Sequence, residues 1–417
     1  MINNKIIFSY TLKNAVEHGG KASINPVINS LFNEGLKKEK IKDYISEINF
    51  IINKVNNLHH EEQKKEFEKF KHLIGKRKER KGLPNLPKLK RGKVISRFGP
   101  SPSGPLTFGH IIALLPNFLY AKKFDGKFYL RIEDTNPENI YEPAYKMIEE
   151  EAKWLCKNQV KLIIQSDRME IYYKYADKLI NSNSAYVCIC NSEKFKELLL
   201  NKISCPCRTL EKKEQKKRWK KMLDKKGFKE GEAVLRFKSN IKDVNPAMRD
   251  FPLARINNSL HPRKKYKYKV WPLMNLAVTV DDIELGMTHI IRGKDHKDNA
   301  KRQKMMYKSL NKISKYPIVR FIGRMHLKEI KMSASEFTRD IVSGKYKGWE
   351  DERLPTLTSL KKRGYKPETF WKFVEDRGLS EADKIISFKD LLEVLDNIQN
   401  NENVYKDRNI EYNEKEK

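Results

Sequence analysis

The chain has 417 residues, long enough for two or three domains, and its 39% hydrophobic and 10% aromatic content supplies real cores. A formal charge of +32 points to a polyanionic partner, nucleic acid first, although a lysine-rich proteome leaves the same bulk signature. No apolar run reaches the ~18 residues of a membrane span, and Met1-Ile2-Asn3-Asn4-Lys5 opens no leader-like apolar core, so the sequence reads as cytoplasmic with no membrane partner.

Residues 1–75 read as a helical region: Ile41, Tyr44, Ile45, Ile48, Ile51 and Ile52 recur at helical spacing, and Gly19-Gly20 breaks an early helix. Residues 76–92 read as a basic, proline-containing linker. From residue 93 strand and helix alternate: strands over 94–98 and 127–132, a helix over 110–124 that Pro116 should kink, a helix over 143–155, and a strand over 163–165. This βαβ pattern predicts an α/β fold with a parallel sheet, whose ligands sit at the carboxyl ends of the strands. A region inserted at about 186–260 carries a lysine-rich helix over 211–226 and a strand over 233–238. The lysine-rich helix is suited to tracking RNA phosphates, or is simply a solvated charged face. The pattern then resumes with 276–280 (read as a strand), Asp281-Asp282, 288–292 and 318–322, so the catalytic domain spans 93–330. A loop and helical subdomain follow over 331–395, with Pro367 opening a helix and Gly378 ending it. The polar stretch 396–417 is expected to be a disordered tail.

Two constellations carry chemistry. Arg97-Phe98-Gly99-Pro100-Ser101-Pro102-Ser103-Gly104-Pro105-Leu106-Thr107-Phe108-Gly109-His110 joins a strand, a small-residue turn and a helix start. Backbone N–H groups then converge with a helix N-terminus, which suits a polyphosphate, and His110 in the first turn can hydrogen-bond phosphate oxygens. On spacing alone, a loop without a ligand is an equal alternative. The second is Cys188-x-Cys190 followed by Cys205-x-Cys207. Two thiolate pairs on opposed turns surround one structural Zn²⁺ tetrahedrally; four free thiols are the alternative. Cys156 stands alone in a helical pattern and reads as core.

The first stretch resembles the signature of class I aminoacyl-tRNA synthetases of the glutamyl/glutaminyl subclass. Arg131-Ile132-Glu133-Asp134-Thr135-Asn136-Pro137, Val280-Asp281-Asp282, Ile290-Ile291-Arg292-Gly293-Lys294-Asp295-His296 and Lys331-Met332-Ser333-Ala334-Ser335 are similar to further motifs of that subclass, in the same order. The segment from Leu12 to Ala22 resembles the N-terminus of archaeal-type glutamyl-tRNA synthetases. The resemblance implies a Rossmann-like sheet with a zinc-braced, acceptor-binding insertion. It implies ATP-dependent, Mg²⁺-assisted activation of glutamate and transfer to the 3′ end of tRNA-Glu. It assigns Arg97, Ser101, Glu133, Met274 and Arg292 to glutamate, and Gly104, Gly109, His110 and Lys331 to ATP. Thr107, His110, Lys331, Ser333 and Ser335 become catalytic, Arg249 and Asp250 contact the acceptor stem, and Cys188, Cys190, Cys205 and Cys207 hold the metal.

Four departures stand out. Thr107 replaces the first His of the signature; Ala334 and Glu336 stand where the mobile loop usually carries cations; Met274 replaces a pocket tyrosine; and the family's anticodon-reading β-barrels do not appear within these residues, which leaves room for a partner chain. The competing expectation is therefore a truncated, diverged paralog, either charging an unusual acceptor or acting as an inactive RNA-binding or assembly protein.

Overall fold

The computed structural model describes residues 3–75, 82–330 and 332–408. It divides into two compact units between residues 80 and 81.

The first unit is built from helices α1 (Asn4–Glu17), α2 (Ile24–Leu31), α3 (Ile41–Asn56) and α4 (His60–Phe70). Ile7, Leu12, Val27, Leu31, Ile48 and Val55 are its fully buried centre. The isoleucines that recur in the sequence supply the inner face of α3. α1 ends where expected, with Gly19 and Gly20 both left-handed at φ 66° and 94°. Gln63 is fully buried, and its Nε2 donates to the carbonyls of Gly20 and Val55, both at 2.9 Å. It thereby satisfies carbonyls left open where two helices end.

In the second unit, β1 (Ile95–Phe98), β2 (Lys127–Ile132) and β3 (Lys161–Ile164) form a parallel sheet in that order. Helices α5 (Phe108–Lys123) and α6 (Ala144–Leu155) supply the crossovers. α5 runs through Pro116 as one helix, and Asn117 beside it is fully buried. After α7 (Met169–Asn181) the chain inserts an antiparallel sheet: β4 (Ala185–Cys188), β5 (Val234–Phe237), β6 (Pro252–Ile256) and β7 (Val270–Pro272). This insertion also holds α8 (Ser192–Leu200) and α9 (Lys212–Leu223). α9 buries Gln215, Trp219 and Met222 and leaves its lysines in solvent, so three buried side chains anchor the basic helix read from the sequence.

Helix α10 (Met274–Glu284) corrects the strand expected over 276–280. Leu276, Ala277, Val278, Thr279 and Val280 are all at most 1% exposed. A helix buried on every side has no amphipathic period to separate it from a buried strand. The parallel pair β8 (His289–Gly293) and β9 (Ile318–Ile322) flanks α11 (Lys297–Ser309). Thr288 joins this pair to β1, its N–H donating to the Ile95 carbonyl at 2.9 Å and its Oγ1 accepting from the Ile95 N–H at 2.8 Å. Asn117 pairs with both the N–H and the carbonyl of Ile291, locking α5 onto β8.

The remaining elements are β10 (Met325–Leu327), α12 (Ala334–Val342), α13 (Leu357–Lys362), α14 (Pro367–Arg377), β11 (Lys384–Ile386) and α15 (Phe388–Arg408). Pro367 opens α14 and Gly378 caps it at φ 63°, as the sequence suggests. α15 crosses the expected start of a disordered tail at 396. Its buried Leu391 and Leu395, with Ile398 packed beside them, carry the helix past that point, while residues 409–417 lie outside those described. Cys156 is fully buried, as expected of a core residue.

Candidate active site

β1 and β8 end at Phe98 and Gly293, and β9 ends at Ile322. A cleft of about 860 Å³ opens beyond these carboxyl ends, lined in part by Ser101, Thr107, Gly109, His110, His296 and Ser333. This is where open α/β sheets bind ligands. Thr107 caps α5, and its N–H donates to His110 Nδ1 at 3.1 Å. That bond leaves the proton on Nε2, and burial pushes the imidazole down to about 4, so a neutral ring serves as donor near neutral pH. Thr107 is therefore a helix cap and an orienter of His110, a part that needs no charge.

The turn between β1 and α5 is held from outside its own sequence. Leu357 N–H donates to the Leu106 carbonyl at 2.7 Å and Phe108 N–H to the Pro355 carbonyl at 2.8 Å. Glu151 accepts from Leu106 N–H at 2.6 Å and from Thr358 N–H at 3.1 Å. Burial raises its carboxyl to about 7 despite these donors. Gly104 has φ 157°, and a Cβ there would lie 2.9 Å from the Trp349 ring and 3.0 Å from the Ala334 methyl. Ala334 is thus packed against the signature turn. Met332 and Ser333 line the cleft; Lys331 lies outside the described residues, and so does the side chain of Ser335.

Beside the cleft lies a buried ionic network. Arg97 donates to Asp282 through Nε at 2.8 Å and Nη2 at 3.0 Å. Arg131, fully buried, donates to Asp282 at 2.7 Å and to Glu133 at 2.8 Å. Burial alone would raise the Asp282 carboxyl, but Arg97 and Arg131 outweigh it and hold the group below the usual carboxylate range. Neighbouring Asp281 accepts from Arg168 at 2.7 Å and Gln165 at 2.9 Å. The turn glycine Gly99 belongs to this arrangement, since a Cβ there would sit 2.2 Å from Glu133 Oε1. Asp134 is buried beside it. Its carboxylate accepts from Tyr145 and from Ser166 N–H, and its carbonyl lies 3.0 Å from His261 Nε2, tying the insertion to β2.

Arg292 differs from the other two arginines. It is 8% exposed, yet no carboxylate pairs with it among the described residues; its Nη1 donates to Gln303 Oε1 at 2.9 Å and its Nε has no partner. Burial, with the nearby Arg97 charge added, lowers its guanidinium to about 10. Gln303 Nε2 and Tyr307 Oη are also buried without partners. The unpartnered donors on Arg292 and on Gln303, which are hydrogen-bonded to each other, suit an anionic group. The sequence brings Arg97, Glu133 and Arg292 to one locality, as their mutual electrostatic influence records. Met274 is 39% exposed, its sulfur 3.5 Å from Asn299 Nδ2.

In the insertion, the four Sγ atoms of Cys188, Cys190, Cys205 and Cys207 lie within 4.8 Å of one another, and no cysteine is in a disulfide. Separations of 3.2, 3.5 and 3.9 Å match the edge of about 3.8 Å expected for tetrahedral metal–thiolate bonds of ~2.3 Å. The group suits one soft metal ion. Arg249 and Asp250 face inward. Arg249 donates to the carbonyls of Asp243 at 2.7 Å and Leu199 at 2.8 Å, and Asp250, 0% exposed, accepts from Tyr186, Arg208 and Ser239 N–H. Both side chains are thus hydrogen-bonded within the insertion that carries the four cysteines. A polar pair in sequence carries no sign of whether it turns in or out. Gln303 and Glu151 had no sequence signal beyond their residue type, because their partners lie on other elements; His296 was carried by the motif that holds Arg292.

Among known families, residues 93–399 match the one described as tRNA synthetases class I (E and Q), catalytic domain, and the chain belongs to this family. It is 41% identical over 396 residues to the glutamate–tRNA ligase of Thermococcus kodakarensis, covering 93% of this chain and 69% of that one. It is 40% identical over 401 residues to the glutamate–tRNA ligase of Methanothermobacter marburgensis, with 95% and 72% covered. A crystal structure of glutamate-tRNA synthetase from Elizabethkingia anophelis shares the fold at a TM-score of 0.51 and 21% identity, covering 71% of this chain and 68% of that one.

Proposed function

We propose that the chain is a glutamate–tRNA ligase: it activates glutamate with ATP and transfers the glutamyl group to the 3′ end of tRNA-Glu. The carrying observation is Arg292, a buried guanidinium with no carboxylate ion pair among the described residues, set beside Arg97 and Glu133. A planar guanidinium takes a carboxylate through two parallel hydrogen bonds, and an acidic substrate supplies what the site lacks. Arg97, held by Asp282, and Ser101 at the cleft edge serve the other polar groups of glutamate, while Glu133, anchored by Arg131, receives the α-ammonium.

In the first step a glutamate α-carboxylate oxygen attacks the α-phosphorus of ATP and pyrophosphate leaves. The chain contributes alignment of two anions and donors for developing charge rather than covalent chemistry. Neutral His110 offers Nε2–H to the phosphates, with Gly104 and Gly109 allowing close approach of the backbone. Thr107 keeps the ring oriented. Lys331, Ser333 and Ser335 attend the leaving pyrophosphate; Mg²⁺, bound with the nucleotide, would supply shielding of its charge. In the second step a terminal ribose hydroxyl of tRNA takes the acyl group and AMP leaves. The insertion faces the acceptor end, braced by Zn²⁺ on Cys188, Cys190, Cys205 and Cys207, and the exposed lysines of α9 add phosphate contacts. This is work for the cytoplasm; among the described residues no helix is long and apolar enough to cross a membrane. Anticodon recognition by a partner chain remains part of the proposal. The inactive-paralog reading is not favoured, because the arginines, Glu133 and His110 are all in place.

The test is glutamate-dependent ATP–pyrophosphate exchange, run with and without tRNA, followed by aminoacylation. Exchange stimulated by glutamate and not by glutamine or aspartate is expected. Absence of exchange with every tRNA fraction supplied would reject the ligase reading. Metal analysis forms a second prediction: one zinc per chain, lost in Cys205→Ser together with several degrees of thermal stability, since structural zinc contributes directly to folding. Zinc-free protein with the same melting temperature as the wild type contradicts it.

A further inference from the structure

We infer that Gln303 is a positioning residue that selects an acidic substrate by holding Arg292 in place without neutralising it. The inference rests on the proposed role of Arg292 as a carboxylate receptor and extends it to a residue with no part in any of the motifs above.

Gln303 lies on α11, one helical turn beyond Asn299, so the two share a face; Asn299 reaches Met274 while Gln303 reaches Arg292. Gln303 is 4% exposed, so its amide exchanges no hydrogen bonds freely with solvent. Its Oε1, 2.9 Å from Arg292 Nη1, is the acceptor that fixes the guanidinium plane among the described residues. A neutral carbonyl oxygen does this without cancelling the charge. Each of the other two buried arginines of the site has a carboxylate: Arg97 has Asp282, and Arg131 has both Asp282 and Glu133. Arg292 alone of the three makes no ion pair with a carboxylate among the described residues; burial and the Arg97 charge outweigh the longer-range pull of Asp282 and Glu133 on it. Such a group gains most from an incoming anion. The unpartnered Nε2 of Gln303 adds a second donor of the kind a carboxylate oxygen accepts.

A glutamate at position 303 would have almost the same shape and would place an internal carboxylate on Arg292. It would compete with the substrate for the same guanidinium. A methionine would keep the volume, remove the acceptor and leave the charge free but poorly oriented.

The experiment compares wild type, Gln303→Glu, Gln303→Met and Arg292→Ala in tRNA-dependent exchange, with the KM for glutamate and for ATP measured separately and the melting temperature of each variant recorded. Gln303→Glu should raise the glutamate KM by about 30-fold or more and Gln303→Met by about 10-fold, while the ATP KM stays within about twofold. A purely structural residue would instead lower kcat, or shift both KM values together with stability. Should Gln303→Glu fail to fold, the glutamate-against-ATP split in Gln303→Met decides alone. A glutamate KM within about threefold of wild type in the folded position-303 variants, with Arg292→Ala inactive, overturns this inference and leaves the ligase reading intact. Undiminished exchange in Arg292→Ala overturns the role of Arg292 and this inference with it.

Discussion

Arg292→Ala should lose glutamate-dependent exchange by about 1,000-fold or more in kcat/KM, without comparable loss of ATP binding or of stability. The magnitude follows from burial. A charge-assisted, bidentate contact in a buried site is worth several kcal/mol, because once the guanidinium is gone the carboxylate gives up its hydration beside cations already committed to Asp282 and Glu133. The stability expectation has the opposite origin. In the free protein Arg292 is a buried charge with a neutral partner and an unpartnered Nε, which costs folding free energy. Removing it should leave the melting temperature unchanged or raise it. Activity and stability moving apart is the signature of a side chain kept for a ligand rather than for the fold. Steady-state exchange with thermal denaturation on the same preparations checks both halves.

Asp282→Asn should do the reverse and damage both. Asp282 is the one carboxylate shared by Arg97 and Arg131, and Arg131 in turn holds Glu133. Converting it to an amide leaves buried Arg97 without its carboxylate and Arg131 with Glu133 as its remaining close one, with a cost of about 3–5 kcal/mol. The melting temperature should fall by several degrees at least. The glutamate KM should rise, since the orientation of Arg97 and Glu133 is lost together. The pH dependence gives a separate check. Arg97 and Arg131 keep the folded carboxyl below its unfolded value, so its contribution is fully present above about pH 4 and disappears as pH falls through the depressed folded value. The stability gap between wild type and Asp282→Asn should therefore be constant near neutrality and close under acid. A gap that persists unchanged at low pH would mean that the network is not what Asp282 contributes.

What the sequence made legible follows from how local each piece of chemistry is. The small-residue turn from Arg97 to His110 announces itself, because strand end, glycines and helix start are contiguous. The four cysteines do so as well, since metal spacing is a pattern within twenty residues. Arg292 is visible through the motif that carries it. Other roles are set by partners remote in the chain. Arg97 and Asp282 are 185 residues apart, and Glu151 and Thr358 are 207 apart, so neither pairing has a spacing to read. Arg249 and Asp250 show a complementary limit of residue type. Their residue types suit RNA, but buried carbonyls and hydroxyls claim both side chains. α10 was hidden because its apolar segment is enclosed on all sides. Ala334 reads as a lost cation in sequence, whereas in space it is the methyl packed against Gly104.

The central claim is that a carboxylate of glutamate seats on Arg292 next to the nucleotide cleft. A crystal structure with tRNA and a non-hydrolysable glutamyl-adenylate analogue tests it most directly. The account predicts a ligand carboxylate oxygen about 2.8 Å from the Arg292 guanidinium, the ligand ammonium at Glu133, and the phosphate at His110. An analogue bound with both Arg292 and Glu133 untouched would contradict it.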